Sequence, residues 1–224
     1  MASSWSLIVS SRPPHGLLMG GLVWPEDSRS GLHGDEQDLG RTCPQLSVLL
    51  SSGGYGIDFS QASEDVSSGL SFVSKKILQH GVTSFCPTLV TSPPAVYHKV
   101  LPQVKVHDGG RGGAGVLGFH LEGPFISVEK KGAHPESFLR TFHSGGMEDL
   151  MDAYGSLDSV AMVTLAPELA GSQSVVRELC RRGITVSLGH SVANLSQAEE
   201  AVHHGASFIT HLFNAMLPVS TYTL

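Results

Sequence analysis

Apolar positions along this chain change their period several times after residue 45, and each change marks an element. Leu46 to Leu50 is a short, mostly apolar run closed by Ser and Gly. Val66, Leu70, Val73 and Ile77 then recur at helical spacing, with Ser63 able to cap the helix and Gly81 to stop it. Val82 to Cys86 reads as a strand ending before Pro87. Pro93-Pro94 opens a second helix with Val96, Val100 and Val104 on one face. Gly109 to Gly113 is a turn, and Val116 to Leu121 is the next strand. Beyond it the pattern predicts a helix from Met147 to Tyr154 and a strand from Val160 to Leu165. Val175, Val176 and Leu179 mark a helix that ends at Gly183, before a strand from Ile184 to Leu188. Asn194 caps a helix through His203, and a last strand runs from Phe208 to His211.

Strands alternating with helices at this spacing imply βαβ units and a parallel sheet. The fold class is α/β, with six strands. A closed (β/α)₈ TIM-type barrel wants eight, in ~250 residues. Residues 46–218 therefore read as an incomplete barrel of about six of the eight strands. The competing arrangement is an open doubly wound sheet, but Ser51-Ser52-Gly53-Gly54-Tyr55-Gly56 lacks the GxGxxG order of a dinucleotide turn.

Residues 1–45 mix Ser, Gly, Pro and charge without a period, and read as poorly structured. Residues 219–224 form a divergent tail. Trp5 to Val9 is a brief apolar patch with no basic residue before it, which does not make a signal peptide. No run approaches the ~18 apolar residues of a membrane span. The 224 residues carry a net charge of −6 with 15% charged side chains, so nucleic acid is not an expected partner. Cys43, Cys86 and Cys180 are odd in number and far apart, which fits free thiols in a reducing compartment. The expected location is cytoplasmic.

Three apolar runs lead into a metal-type ligand: Glu122 after Val116 to Leu121, His190 after Ile184 to Leu188, and His211 after Phe208. Alone, each has a plain reading, a solvated strand-end carboxylate or a hydrogen-bonded imidazole. Together, on the third, fifth and sixth strands of one barrel, they would face the same mouth, where barrel enzymes carry their chemistry. One Glu and two His suit a divalent cation with an open coordination position, Zn foremost, with Fe, Co or Mn able to take the same ligands.

The same residues lie in longer motifs. His-Leu-Glu-Gly-Pro-Phe-Ile-Ser (120–127), Lys-Gly-Ala-His-Pro-Glu (131–136), Val-Thr-Leu-Ala-Pro-Glu (163–168), Ser-Leu-Gly-His-Ser (187–191) and Thr-His-Leu-Phe-Asn-Ala-Met (210–216) together resemble the N-acetylglucosamine-6-phosphate deacetylases, animal type, of the metal-dependent amidohydrolase superfamily. The resemblance covers about Gly53 to Pro218. It implies a (β/α)₈ barrel and hydrolysis of N-acetyl-D-glucosamine 6-phosphate to D-glucosamine 6-phosphate and acetate in amino-sugar metabolism. It implies that Glu122, His190 and His211 hold the metal. By the same resemblance, Ala133 and His134 contact the substrate, and Asn214 and Ala215 help hold its phosphate. Asn and a backbone N–H near a helix start are suitable phosphate donors. The implied partner is a small sugar phosphate, and the implied assembly a homodimer.

Two departures from the resemblance bear on activity. The polar strand motif that precedes Gly53-Gly54 in that family is replaced by Leu50-Ser51-Ser52. The proton-transferring Asp implied by the resemblance lies on a later strand, expected beyond Leu224, so no catalytic acid/base is assigned within these residues. The expectation is a chain with turnover reduced by ~10³-fold, the scale of general-base help, with exposed sheet edges and poor solubility. The alternative is a catalytically inactive isoform that binds metal or a full-length partner. Among weaker features, Glu168 reads as either a support for the site or a solvated loop residue. His203-His204 reads as a solvated helix end and Lys130-Lys131 as a solvated pair.

Overall fold

Segments rich in β-branched residues and bounded by glycine pair in parallel into one curved sheet. The computed structural model describes residues 6–9, 18–19, 47–61, 65–143 and 145–217. Its strands are β1 (Ser6–Val9), β2 (Leu18–Met19), β3 (Ser47–Ser51), β4 (Gly53–Gly54), β5 (Ile57–Asp58), β6 (Val82–Val90), β7 (Gly115–Val116), β8 (Phe119–Glu122), β9 (Val160–Leu165), β10 (Thr185–Leu188) and β11 (Phe208–Ile209). The helices are α1 (Val66–Leu78), α2 (Pro94–Val100), α3 (Met147–Tyr154), α4 (Ser172–Arg181) and α5 (Leu195–His203). The sheet runs β1-β3-β6-β8-β9-β10-β11-β2, with β7 set beside β6. From β3 to β11 every pairing on this path is parallel and neighbours follow chain order, as in a (β/α)₈ barrel and unlike a doubly wound sheet.

Local sequence accounts for most boundaries. Asn194 and Gln197 form a reciprocal capping box on α5, each side chain bonding the other's backbone N–H. Asp65 caps α1 by accepting from Ser68 N–H at 2.9 Å; the expected cap, Ser63, lies outside the described residues. The strand expected to stop before Pro87 continues to Val90. Pro87 falls between the stretch of β6 that pairs with β7 and the stretch that pairs with β8, at the final residue pair of the β3 ladder. A missing N–H is tolerated at such a junction. Val116 to Leu121 does not form one strand. Gly118, at φ 125°, divides it into β7 and β8, and a Cβ there would stand 2.9 Å from the Ala161 side chain.

Alternation along the strands makes two unequal interiors. Leu49, Phe85, Phe119, Leu121, Val163, Leu165 and Val186 join the large core under the helices. Leu50, Cys86, Met162 and Phe208 form a separate small cluster. That smaller core gives way to buried polar groups: Thr88, His120, Glu122, Thr164 and Ser187. The open edges expected at either side of six strands are both paired. β1 lies antiparallel to β3 over four residue pairs, and β2 lies parallel to β11 over two. The rest of residues 1–45, and residues 219–224, lie outside the described residues. Among the described residues, no helix is long and apolar enough to cross a membrane.

Candidate metal centre

Strand register decides which side chains meet. Glu122 ends β8 and pairs with Val90 on one side and Thr164 on the other. On the same strand Phe119 and Leu121 turn into the outer core, so His120 and Glu122 share the opposite face. Leu188 of β10 pairs with Ile209 of β11. His190 and His211 each follow that pair by two residues, so they occupy matching places on adjacent strands. Both are left-handed, at φ 51° and 56°. For residues bearing a Cβ this backbone is sparsely populated, and it persists where the surroundings over-determine it.

The three side chains converge on one oxygen. Oε1 of Glu122 is 2.9 Å from Nε2 of His190 and 3.0 Å from Nε2 of His211. Burial alone would raise the Glu122 carboxyl, but the hydrogen bonds from His190 and His211 outweigh it and hold the group well below the usual carboxylate range. The bond to Glu122 in turn raises His211. His190 Nδ1 is 2.7 Å from the Lys130 carbonyl oxygen. A carbonyl only accepts, so Nδ1 carries a proton. In the neutral ring the Nε2 lone pair then faces a carboxylate oxygen. Two lone pairs at that distance require a positive charge between them, a proton or a metal cation. An imidazole whose second nitrogen donates to a backbone carbonyl is the usual form of a metal-ligating histidine.

His134 approaches the same carboxylate, its Nε2 3.9 Å from Oε1. Ligand atoms of Glu122, His134 and His190 lie within 4.8 Å of one another, a second possible metal triad. The hydrogen bonds separate the two sets. Nδ1 of His134 receives the Thr91 backbone N–H at 3.3 Å and stands 2.8 Å from Thr91 Oγ1. Burial lowers His134 to about 4, so the ring is neutral and its proton sits on Nε2. An N–H directed into the site donates; it offers no lone pair to a cation.

A cavity of ≈ 660 Å³ opens over this cluster, and Glu122, Ala133, His134, His190, His211, Asn214 and Ala215 all line it. Every sequence-assigned site residue is thus brought to one cleft. One local detail differs: Asn214 and Ala215 stand in a turn after His211 rather than at a helix start. Ala215 N–H there donates to Asn214 Oδ1 at 3.0 Å.

Below the carboxylate runs a buried polar chain. His120 bonds Thr88 Oγ1 at 3.0 Å and Thr164 Oγ1 at 2.7 Å. Thr164 Oγ1 bonds Thr210 Oγ1 at 2.8 Å, and Ser187 Oγ joins Thr210 at 2.6 Å. Burial lowers His120 to about 4, keeping it neutral. Sequence reading missed this chain and the grip of Thr91 on His134. The alternation of Thr164 with apolar neighbours was the signal available, and it does not name a partner.

No family model matches the chain. Curated relatives do. A Danio rerio N-acetylglucosamine-6-phosphate deacetylase is 72% identical over 167 residues, 75% of this chain and 41% of the relative. The Homo sapiens enzyme of that name is 67% identical over the same shares. Among solved structures, N-acetylglucosamine-6-phosphate deacetylase from Pasteurella multocida superposes with a TM-score of 0.60 at 36% identity, over 77% of this chain and 44% of that one. The chain spans about two-fifths of the length of the curated relatives it matches.

Proposed function

We propose, for a chain that belongs to the N-acetylglucosamine-6-phosphate deacetylase family and carries part of its barrel, that the cavity binds one divalent cation and N-acetyl-D-glucosamine 6-phosphate for amide hydrolysis. Glu122, His190 and His211 hold the cation. Zn suits this donor set best, with Fe, Co and Mn as competitors for the same ligands. Such a cation supplies Lewis acidity, polarising an amide carbonyl and lowering the pKa of water.

The chain's own residues bind and orient. His134 presents Nε2–H at the mouth, placed to donate to the acetyl oxygen as negative charge develops there. Thr91 fixes the tautomer that makes this possible. Ala133 adds a wall of the sugar site, and Asn214 with Ala215 offers amide donors to the phosphate. To engage an anion, Ala215 N–H must leave its bond to Asn214.

No carboxylate lining the cavity among the described residues is placed for proton transfer. Among the described residues, the carboxylates lining the cavity are Glu122 and Glu129. Glu122 is held by two imidazoles, and Glu129 is exposed on the rim. Acid–base help of the kind worth ~10²–10⁴-fold is therefore assigned to neither carboxylate.

The convergence of His190 and His211 on Oε1 of Glu122, with Nδ1 of His190 tied to Lys130, carries the reading. It is tested by metal stoichiometry and acetate release with the 224-residue polypeptide. Metal bound at one equivalent, lost in Glu122→Ala, supports the site. No bound metal removes it, and acetate release at the level of a relative would show that a group other than these two carboxylates moves the proton.

A further inference from the structure

We infer that Glu168 is a positioning residue for the metal-holding turn, acting on His190 through Ser191 and Val192. The inference rests on the reading of His190 as a metal ligand.

Glu168 follows β9 in the sequence Ala166-Pro167-Glu168 and does not line the cavity over Glu122. It reaches the turn that follows β10. Its two oxygens take two different donors from that turn. Oε2 accepts the Ser191 hydroxyl at 2.6 Å, and Oε1 accepts the Val192 backbone N–H at 2.8 Å. Ser191 Oγ also accepts the Ala193 N–H at 2.9 Å, so one carboxylate organises three consecutive residues.

The residue just before this grip is His190, in the left-handed region at φ 51°. Such a backbone holds only if its neighbours are pinned. Its own carbonyl accepts Ser127 N–H at 2.8 Å, which ties one side of the peptide to the loop after β8. The other side is Ser191, whose N–H donates to the Ala215 carbonyl at 3.1 Å. The Glu168 carboxylate therefore anchors the residue that links the metal-ligand turn to the turn carrying Asn214 and Ala215. Without it, the backbone that aims Nε2 at Glu122 loses its support, and the ring bond to the Lys130 carbonyl loosens with it.

Substituting Glu168 changes no residue that lines the cavity, so its effect on the site is read through His190. The test uses the whole 224-residue chain, with Co²⁺ as the metal probe. Glu168→Ala is expected to weaken Co²⁺ binding by roughly 10–100-fold and to alter the visible Co²⁺ absorption bands, the scale typical of outer partners of metal ligands. In the metal-free chain it also speeds solvent exchange of the His190 Nδ1–H, followed by proton–nitrogen NMR of the imidazoles. Glu168→Gln retains an acceptor for Val192 N–H and restores most of both signals. Ser191→Ala removes one arm and gives an intermediate loss, which keeps the claim testable if Glu168→Ala fails to fold. Ser172→Ala is the structural control. It breaks a buried bond to the Pro167 carbonyl in the same loop and leaves His190 untouched. Glu168→Ala with unchanged Co²⁺ affinity and unchanged ring-proton exchange overturns the inference, as does an equal loss in Ser172→Ala. If the parent chain binds no Co²⁺, the metal reading falls, and the ring-proton exchange still decides whether Glu168 positions His190.

Discussion

Nε2 of His190 lies 2.9 Å from Oε1 of Glu122, two side chains separated by 68 residues of sequence. The two strands that carry them are not neighbours; β9 lies between. Only a sheet that curves brings the ends of β8 and β10 this close, so the contact reports both the site and the barrel curvature.

Replacing Glu122 with Gln removes the negative charge while keeping its shape. The loss of metal affinity is expected to exceed the roughly 100-fold that outer partners of a ligand account for. Competition against a chromophoric chelator measures it. Equal affinity in the Gln variant would show that the carboxylate is not a ligand.

Thr164→Val breaks the hub of the buried polar chain, since its hydroxyl serves both His120 and Thr210. Both partners lose one bond at a position closed off from bulk solvent. A cost of about 1–3 kcal/mol per orphaned group follows, read as a lower denaturation midpoint in urea. A change under half a kcal/mol would mean the chain relaxes or hydrates.

Stability without metal should fall as the solution is acidified from about pH 6.5 to about 4. Burial lowers His120 and His134 to about 4, below the 6.5 of an unfolded histidine. In that window the unfolded chain takes up protons that the folded chain refuses, so folding weakens as pH drops, by at most about 1.4 kcal/mol per pH unit for each group. Glu122, with its carboxyl held low, contributes fully above the unfolded carboxylate value and is lost only at more acid pH. His211, raised, contributes fully below 6.5 and is lost as pH rises through its folded value. Melting temperatures across pH for the parent and His120→Asn check this. An unchanged slope in the variant would assign the effect elsewhere.

Cys86 should resist alkylation at pH 8 in the folded chain, because burial pushes its thiol up to about 12. Cys180 is only half-buried and raised less, and it labels first. Peptide mass spectrometry after iodoacetamide, with and without urea, distinguishes the two. Native labelling of Cys86 at the rate of Cys180 would show that the β6 interior opens readily.

The legible parts of the site were those written locally. Alternation in Phe119-His120-Leu121-Glu122 already puts the carboxylate opposite the apolar core, and Asn194 announces a helix start. The capping of β3 and β11 by Ser6–Val9 and Leu18–Met19 had no such mark, because a short apolar stretch does not name the strand it will join. Nor did Thr91 announce that its N–H would meet His134, 43 residues away.

The sequence alone determined the α/β alternation, the parallel order and seven of the residues around the cavity, since period and motif are properties of neighbouring positions. Tertiary structure decided that the neutral His190 ring turns a lone pair toward Glu122 and the His134 ring a proton. That choice belongs to the Lys130 carbonyl and the Thr91 N–H. A ring's tautomer follows the partner of its far nitrogen, and folding supplies that partner from a distant part of the chain.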